Sequence, residues 1–140
     1  LEFRNEEDTN SGVFIRCDDT QDWLNRAIEI QISQPATESA KEATGAIFDI
    51  APAEGSRQKP AGEWNRMTII ARGPMIYSVL NGAQVMCANL DEWTEAGRNP
   101  DGTPNKFRDA YAQLARKGRI GLQDHGTPVS FRNVRIKRLP

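Results

Sequence analysis

The chain has 140 residues and a formal net charge of −1, which suits one domain with one good core and gives no electrostatic case for nucleic acid or an anionic membrane as partner. No apolar run is long enough for a transmembrane helix. The two cysteines, Cys17 and Cys87, are too few for a disulfide framework or a thiolate zinc site, and their pairing depends on whether the fold brings their strands together.

The chain opens without Met on Leu1-Glu-Phe-Arg4, a run that reads as strand interior, so a piece of a longer chain is expected, with any export signal lying upstream. An acidic turn over 5–12 leads into a strand over 13–17, with Val13, Ile15 and Cys17 on one face and Phe14 and Arg16 on the other. Residues 18–25 form a polar loop that holds Trp23. The cleanest alternation follows: Ile28, Ile30 and Ile32 go to the core, while Glu29 and Gln31 go outward together, about 7 Å apart along the strand. A polar, Ala-rich loop is expected over 33–44, a short strand over 45–50 and a Pro/Gly/Ser connection over 51–62.

A long strand over 63–72 turns at Gly73-Pro74, returns over 75–80, and meets the strongest hairpin signal, Asn81-Gly82, before a strand over 83–88. Residues 89–105 read as a loop, with Asn99-Pro-Asp-Gly-Thr-Pro104 forcing successive turns. Phe107, Tyr111 and Leu114 fall at helical spacing and predict one short amphipathic helix over 106–117, stopped by Gly118. The last segment reads as two strands joined by a tight Gly/Pro turn. In the first of them Ile120 and Leu122 point one way, Gln123 and the only histidine, His125, the other.

Many short strands and almost no helix predict an all-β, antiparallel sandwich or barrel. Its outward positions carry Arg16, Glu29, Gln31, Gln123, His125 and Arg132. Each has a plain structural reading. Glu29 alone is a solvated strand residue, His125 alone bonds a neighbouring carbonyl, and Arg132 opens a row of edge charges with Arg135, Lys137 and Arg138. Trp64 reads as core, Trp23 as a residue able to stack on a sugar ring, and Trp93 is open between the two. No Ser-His-Asp arrangement, phosphate-binding glycine loop or closely spaced metal motif is present. One histidine excludes a multi-histidine zinc site. A divalent cation on oxygen ligands stays open, given Asp18, Asp19, Asp22, Glu29 and Asp124.

In order along the chain stand Asn10-Ser-Gly-Val-Phe-Ile-Arg16, Ile28-Glu-Ile-Gln-Ile32, Gly45-Ala-Ile-Phe48, Gly62-Glu-Trp-Asn65, Leu80-Asn-Gly82, Gly118-Arg-Ile-Gly-Leu-Gln-Asp-His-Gly126 and Phe131-Arg-Asn133. Together they resemble the 3-keto-disaccharide hydrolase domain family, over essentially the whole chain. The resemblance implies a concanavalin A-like jelly-roll β-sandwich of antiparallel sheets, here without the family's first strands and so with an exposed edge or open groove. It also implies bacterial origin, a periplasmic, extracellular or membrane-associated setting, and sugar chemistry on the concave sheet. By the same resemblance Glu29, His125, Arg16 and Arg132 are the catalytic candidates, and Asn10, Gln31, Gln123 and Asp124 the substrate-binding ones, joined by Trp23 on the strength of its stacking ring alone. Arg132 fits the alternation only with a bulge, because Phe131 and Asn133 otherwise share the opposite face.

The implied substrate is a 3-keto glycoside, or another carbohydrate. Its keto group acidifies the C2 proton; a base removes that proton, the C1 substituent leaves, and water adds back. Glu29 and His125 are base and acid in an order the sequence leaves open, Arg16 or Arg132 faces the enolate, and a divalent cation is an alternative electrophile. Two other readings stand beside this one. An ordinary glycoside hydrolase needs a second carboxylate, for which only Asp124 offers itself, and a non-catalytic carbohydrate-binding module relies on Trp23 and Trp93.

Overall fold

Eight strands make two antiparallel sheets in the computed structural model, which describes residues 1–34, 39–55 and 57–139. They are β1 (Glu2–Asn5), β2 (Asn10–Cys17), β3 (Ile28–Ser33), β4 (Trp64–Arg72), β5 (Met75–Leu80), β6 (Ala83–Asn89), β7 (Arg119–Leu122) and β8 (Val129–Arg132). One sheet has the order β6-β5-β4-β1-β8, the other β3-β2-β7. Their inner faces share one core: Phe3, Met67, Ile76 and Leu80 from the first meet Val13, Ile15, Ile28, Ile30 and Ile32 from the second. Each fully buried isoleucine of β3 contributes about 1.5–3 kcal/mol relative to an exposed one. The all-β antiparallel sandwich expected from the alternation is therefore present, and no helix among the described residues is long and apolar enough to cross a membrane.

The strongest local signals are realised as read. Met75–Leu80 is a strand to the residue, and the Asn81-Gly82 turn has both residues at positive φ, 50° and 89°, as a type I′ hairpin requires. Asn81 is fixed further, its amide donating to Asn65 Oδ1 at 2.8 Å and its oxygen accepting from the Arg66 N–H at 2.8 Å.

Several expectations are corrected. The helix over 106–117 is absent; only a 3₁₀ turn, Tyr111–Gln113, forms there. Phe107, Tyr111 and Leu114 are buried as the spacing implied. The backbone around them bonds elsewhere, Lys106 N–H to Asp49 Oδ2 at 2.8 Å and Ala112 N–H to the Trp93 carbonyl at 3.0 Å. One short helical turn, α1 (Trp23–Arg26), sits instead inside the expected 18–25 loop. The strand over 45–50 reduces to the bridge Ile30↔Ile47, because Gly45 and Asp49 at positive φ fold the segment back on itself. Trp64 is not core: it lies on the outer face of its sheet between the Arg4 and Arg132 guanidiniums, 5.4 and 3.9 Å from its ring. Trp93 is core, its indole N–H donating to Asn99 Oδ1 at 2.8 Å. Cys17 and Cys87 are both free, one in each sheet. Residues 35–38 of the expected 33–44 loop and residue 56 of the next connection lie outside the described residues.

The closing strands are not a hairpin. β7 pairs with β2 and β8 with β1, so the chain changes sheet between them. This crossover runs beside the one between β1 and β2. Asn10 N–H donates to Thr127 Oγ1 at 2.9 Å, and the Thr9 hydroxyl donates to the Pro128 carbonyl at 2.8 Å. Ile120 and Leu122 were expected on the covered side, yet both are exposed, since β7 ends its sheet and no described residue covers that edge.

Candidate functional site

Alternation assigns the outer face of the three-stranded sheet. Val13, Ile15, Ile28, Ile30 and Ile32 turn inward, so Asn10, Gly12, Phe14, Glu29 and Gln31 turn away from the core. The register sets them in rows: Phe14 opposite Glu29, Gly12 opposite Gln31, and the Gln123 N–H on the Gly12 carbonyl at 2.9 Å. Glu29, Gln31 and Gln123 thus come together from β3 and from the segment just past β7, as the sequence pattern predicted.

Their environment was not predicted. Glu29 is only 7% exposed and Gln31 3%. Loop 45–50 packs against β3, where the Phe48 N–H donates to the Glu29 carbonyl at 3.1 Å. Burial pushes the Glu29 carboxyl up to about 7, with the Lys106 ammonium and then the Gln123 side chain pulling the other way. Lys106 is held beside this loop, its ammonium 4.0 Å from the centre of the Phe48 ring. Tyr111 is buried too, and its hydroxyl is held protonated by burial and then by the charges of Glu29 and Asp49.

The polar atoms of this sheet and of Tyr111 are incompletely satisfied. Gln31 donates to Asn10 Oδ1 at 3.1 Å, but Gln31 Oε1, Gln123 Oε1, the Tyr111 hydroxyl and Arg16 Nη1 are buried with no hydrogen-bond partner among the described residues. Such atoms cost about 1–3 kcal/mol each when left unmet, so they mark where a polyhydroxylated ligand gains most. Arg16 is further distinguished by φ 58°, in a β2 bulge between Phe14 and Cys17. Bulges re-aim side chains, and here burial, then the nearby Arg116 charge, lowers the guanidinium.

Beside this buried group opens a cavity of about 480 Å³ lined by Phe14, Trp23, Leu122, Gln123, Asp124 and His125. Trp23 leans on Phe14 with ring centroids 5.0 Å apart and planes at 55°. Asp124 and His125 are exposed at its rim, and Asp124 Oδ1 accepts from the Gly126 N–H at 2.9 Å. Gln123 joins the two groups, since it lines the cavity and also acts on Glu29.

Arg132 does not belong to this cluster. It pairs with Glu2 across β1 and β8, its Nε 2.6 Å from the Glu2 carboxylate, and lies over Trp64 on the outer face of the five-stranded sheet. No bulge brings it round, and Phe131 takes the inward position opposite Phe3. Two of the carboxylates named as cation ligands are already engaged. Asp18 is bound by Arg26 and Asp22 by Arg108, and no three His, Cys, Asp or Glu side chains group together among the described residues.

Phe14, Gly12, Lys106 and Tyr111 were missed as site residues. Phe14 was legible, sharing its strand face with Arg16. Lys106 and Tyr111 were not, because they reach β3 only through an irregular segment with no period of its own.

Comparison with known proteins agrees with the fold. A family model described as the 3-keto-alpha-glucoside-1,2-lyase-like domain matches residues 1–137. A 3-keto-disaccharide hydrolase of Bacteroides thetaiotaomicron is 31% identical over 104 residues, 69% of this chain and 36% of its own. The chain thus spans about a third of that relative's length. A Parabacteroides distasonis crystal structure described as a "putative glycosyl hydrolase" is 37% identical, with a TM-score of 0.86 over 92% of this chain and 70% of the other. A second structure so described, from the same organism, is 17% identical with a TM-score of 0.70, over 91% and 63% of the two chains, and speaks for the fold alone.

Proposed function

Since the chain belongs to the 3-keto-alpha-glucoside-1,2-lyase-like domain family, we propose that it cleaves the glycosidic bond of a 3-keto sugar, with Glu29 as the base that takes the C2 proton. The observation that carries this reading is the state of Glu29. It is a buried carboxyl held near neutrality, flanked by two carboxamide oxygens that lack donors. A carboxylate of that basicity is a better proton acceptor at neutral pH than an ordinary one, while half of it remains available in the ionised form.

Glu29 removes the C2 proton, and the electron pair spreads over C2 and the keto oxygen as an enolate. Arg16, positively charged and with a nitrogen lacking an acceptor, faces that oxygen. Collapse of the enolate forms the C1–C2 double bond and expels the C1 oxygen, which takes a proton from His125 at the cavity rim. Water then adds across the double bond and leaves the 3-keto sugar with a free anomeric hydroxyl. Gln31 and Gln123 accept sugar hydroxyls, Asn10 holds Gln31 in place, Asp124 borders the rim, and Trp23 with Phe14 packs the ring.

The test is exchange at C2 of a synthetic 3-keto-glucoside in deuterated water. The protein exchanges and cleaves; Glu29→Gln loses both; His125→Ala keeps the exchange and loses most of the cleavage. Exchange at the normal rate in Glu29→Gln overturns the assignment. Trp23, exposed beside Phe14 at the cavity, also suits a binding module, and that reading predicts tight binding of the sugar with no exchange in any variant.

A further inference from the structure

Gly12 stands in the middle of the outer face, between Asn10 and Phe14 on the same side of β2. Its backbone is ordinary extended strand and lies outside the positive-φ region, so conformational freedom does not explain a glycine here. In strand interiors glycine is a weak choice, and often marks a place where another group approaches closely. The approaching group is the side chain of Glu29. A Cβ on Gly12 would lie 2.5 Å from Glu29 Oε1, 2.9 Å from its Cγ and 3.1 Å from its Cδ.

The register explains why the side chain lies there. Glu29 is directly opposite Phe14, whose ring meets Trp23. The diagonal neighbour on β2 is Gly12, within reach of a long side chain, and Glu29 leans into that gap. In so doing its carboxylate enters the row formed by Gln31, opposite Gly12, and Gln123, whose N–H bonds the Gly12 carbonyl.

We propose that Gly12 is a positioning residue: the missing side chain is the socket that sets the Glu29 carboxylate between Gln31 and Gln123. The proposal rests on the reading of Glu29 given above for its consequence in turnover, but the socket itself is testable without a substrate. A methyl group at position 12 must drive the carboxylate out of the row, since a Cβ below 3.0 Å from two atoms of the Glu29 side chain is not tolerated without a shift. A displacement on the order of 1 Å at a reacting group costs about 10²-fold in rate.

The experiment combines Gly12→Ala and Glu29→Ala singly and together. Gly12→Ala is expected to lower kcat by about 10²-fold with KM within about threefold, and to displace the acid limb of the pH–rate profile. It also lowers the melting temperature by about 4 °C or more in the parent protein. In the Glu29→Ala background the same substitution leaves the melting temperature unchanged or raises it, because the socket is empty and alanine favours the strand. If Gly12→Ala does not fold, recovery of folding in the double variant supports the socket, and its failure to fold overturns it. Equal thermal effects in the two backgrounds overturn it as well. If the parent protein turns over no 3-keto-glucoside, the proposed reaction fails, while the thermal cycle still decides the socket.

Discussion

Replacing Glu29 with glutamine isolates the effect of burying a carboxyl. In the folded protein this group titrates near 7 instead of 4.5. The raised value means that the folded state holds its proton where the unfolded chain has released it. The associated stability is fully present below about 4.5, falls as pH rises from there through about 7, and is gone above that. Moving the carboxyl over that interval corresponds to about 3 kcal/mol. With an unfolding entropy of about 2.1 cal/mol/K per residue, that is about 10 °C in melting temperature for a domain of this size. Glutamine has the same shape and does not titrate, and its amide is a donor placed beside the unmet oxygens of Gln31 and Gln123. Thermal melts of the two proteins from about pH 4.5 to about pH 8.5 should therefore diverge, with Glu29→Gln gaining up to about 10 °C on the parent at the alkaline end. All other titrating groups cancel in the difference. A difference that stays constant across this range refutes the claim that burial raises the titration of this carboxyl to near neutrality.

Arg132→Ala removes a side chain that touches Glu2 and Trp64 on the far sheet. It should leave C2 exchange and cleavage at parental rates, and a loss of turnover beyond about tenfold returns Arg132 to the active constellation. Tyr111→Phe deletes a buried hydroxyl with no partner among the described residues. It should raise stability by about 1 kcal/mol or leave it unchanged in chemical denaturation, and a loss of more than about 2 kcal/mol means the hydroxyl is satisfied in solution.

Where local pattern and tertiary fate coincide, the sequence was legible. Ile28, Ile30 and Ile32 have one way to bury, and Asn81-Gly82 has one turn that matches strand twist, so β3 and the β5–β6 hairpin could be drawn without coordinates. Period 2 also puts Glu29 and Gln31 on one face. It cannot tell whether that face is open to water, because the cover comes from loop 45–50 and the 105–114 segment, whose backbone bonds are non-local. The same limit made Phe107, Tyr111 and Leu114 look helical: the spacing reports which residues are buried, not which carbonyls their N–H groups reach. The terminal strands misled for a related reason. A Gly/Pro turn between two alternating runs signals a hairpin only if both runs stay in one sheet, and the crossover tied to Thr9 and Asn10 separates them. That crossover keeps Gln123 with Glu29 and sends Arg132 to the opposite face.

The distribution of unmet groups argues for a site more strongly than any single residue does. On the outer face of the five-stranded sheet Glu2 pairs with Arg132, both Arg4 and Arg132 lie against Trp64, and Arg4 Nε is left without a hydrogen-bond partner. On the three-stranded sheet and the segments packed against it such atoms are more numerous. Gln31, Gln123, Tyr111 and Arg16 each bury an atom without a partner, Arg16 sits at positive φ, and Gly12 gives up a side chain to admit a carboxylate. The other unmet atoms, on Arg4, Asn5 and Ser78, lie on strands of the five-stranded sheet. A fold selected for stability alone would fill position 12, neutralise position 29 and pair Arg16, each a change of one residue. Concentrating these costs in neighbouring strands is intelligible if what satisfies them binds from outside. The chemistry they offer is two acceptors for hydroxyls, one cation for an oxyanion and one base poised near neutrality. That is what elimination from a keto sugar demands, and a fully satisfied face would have nothing left to offer it.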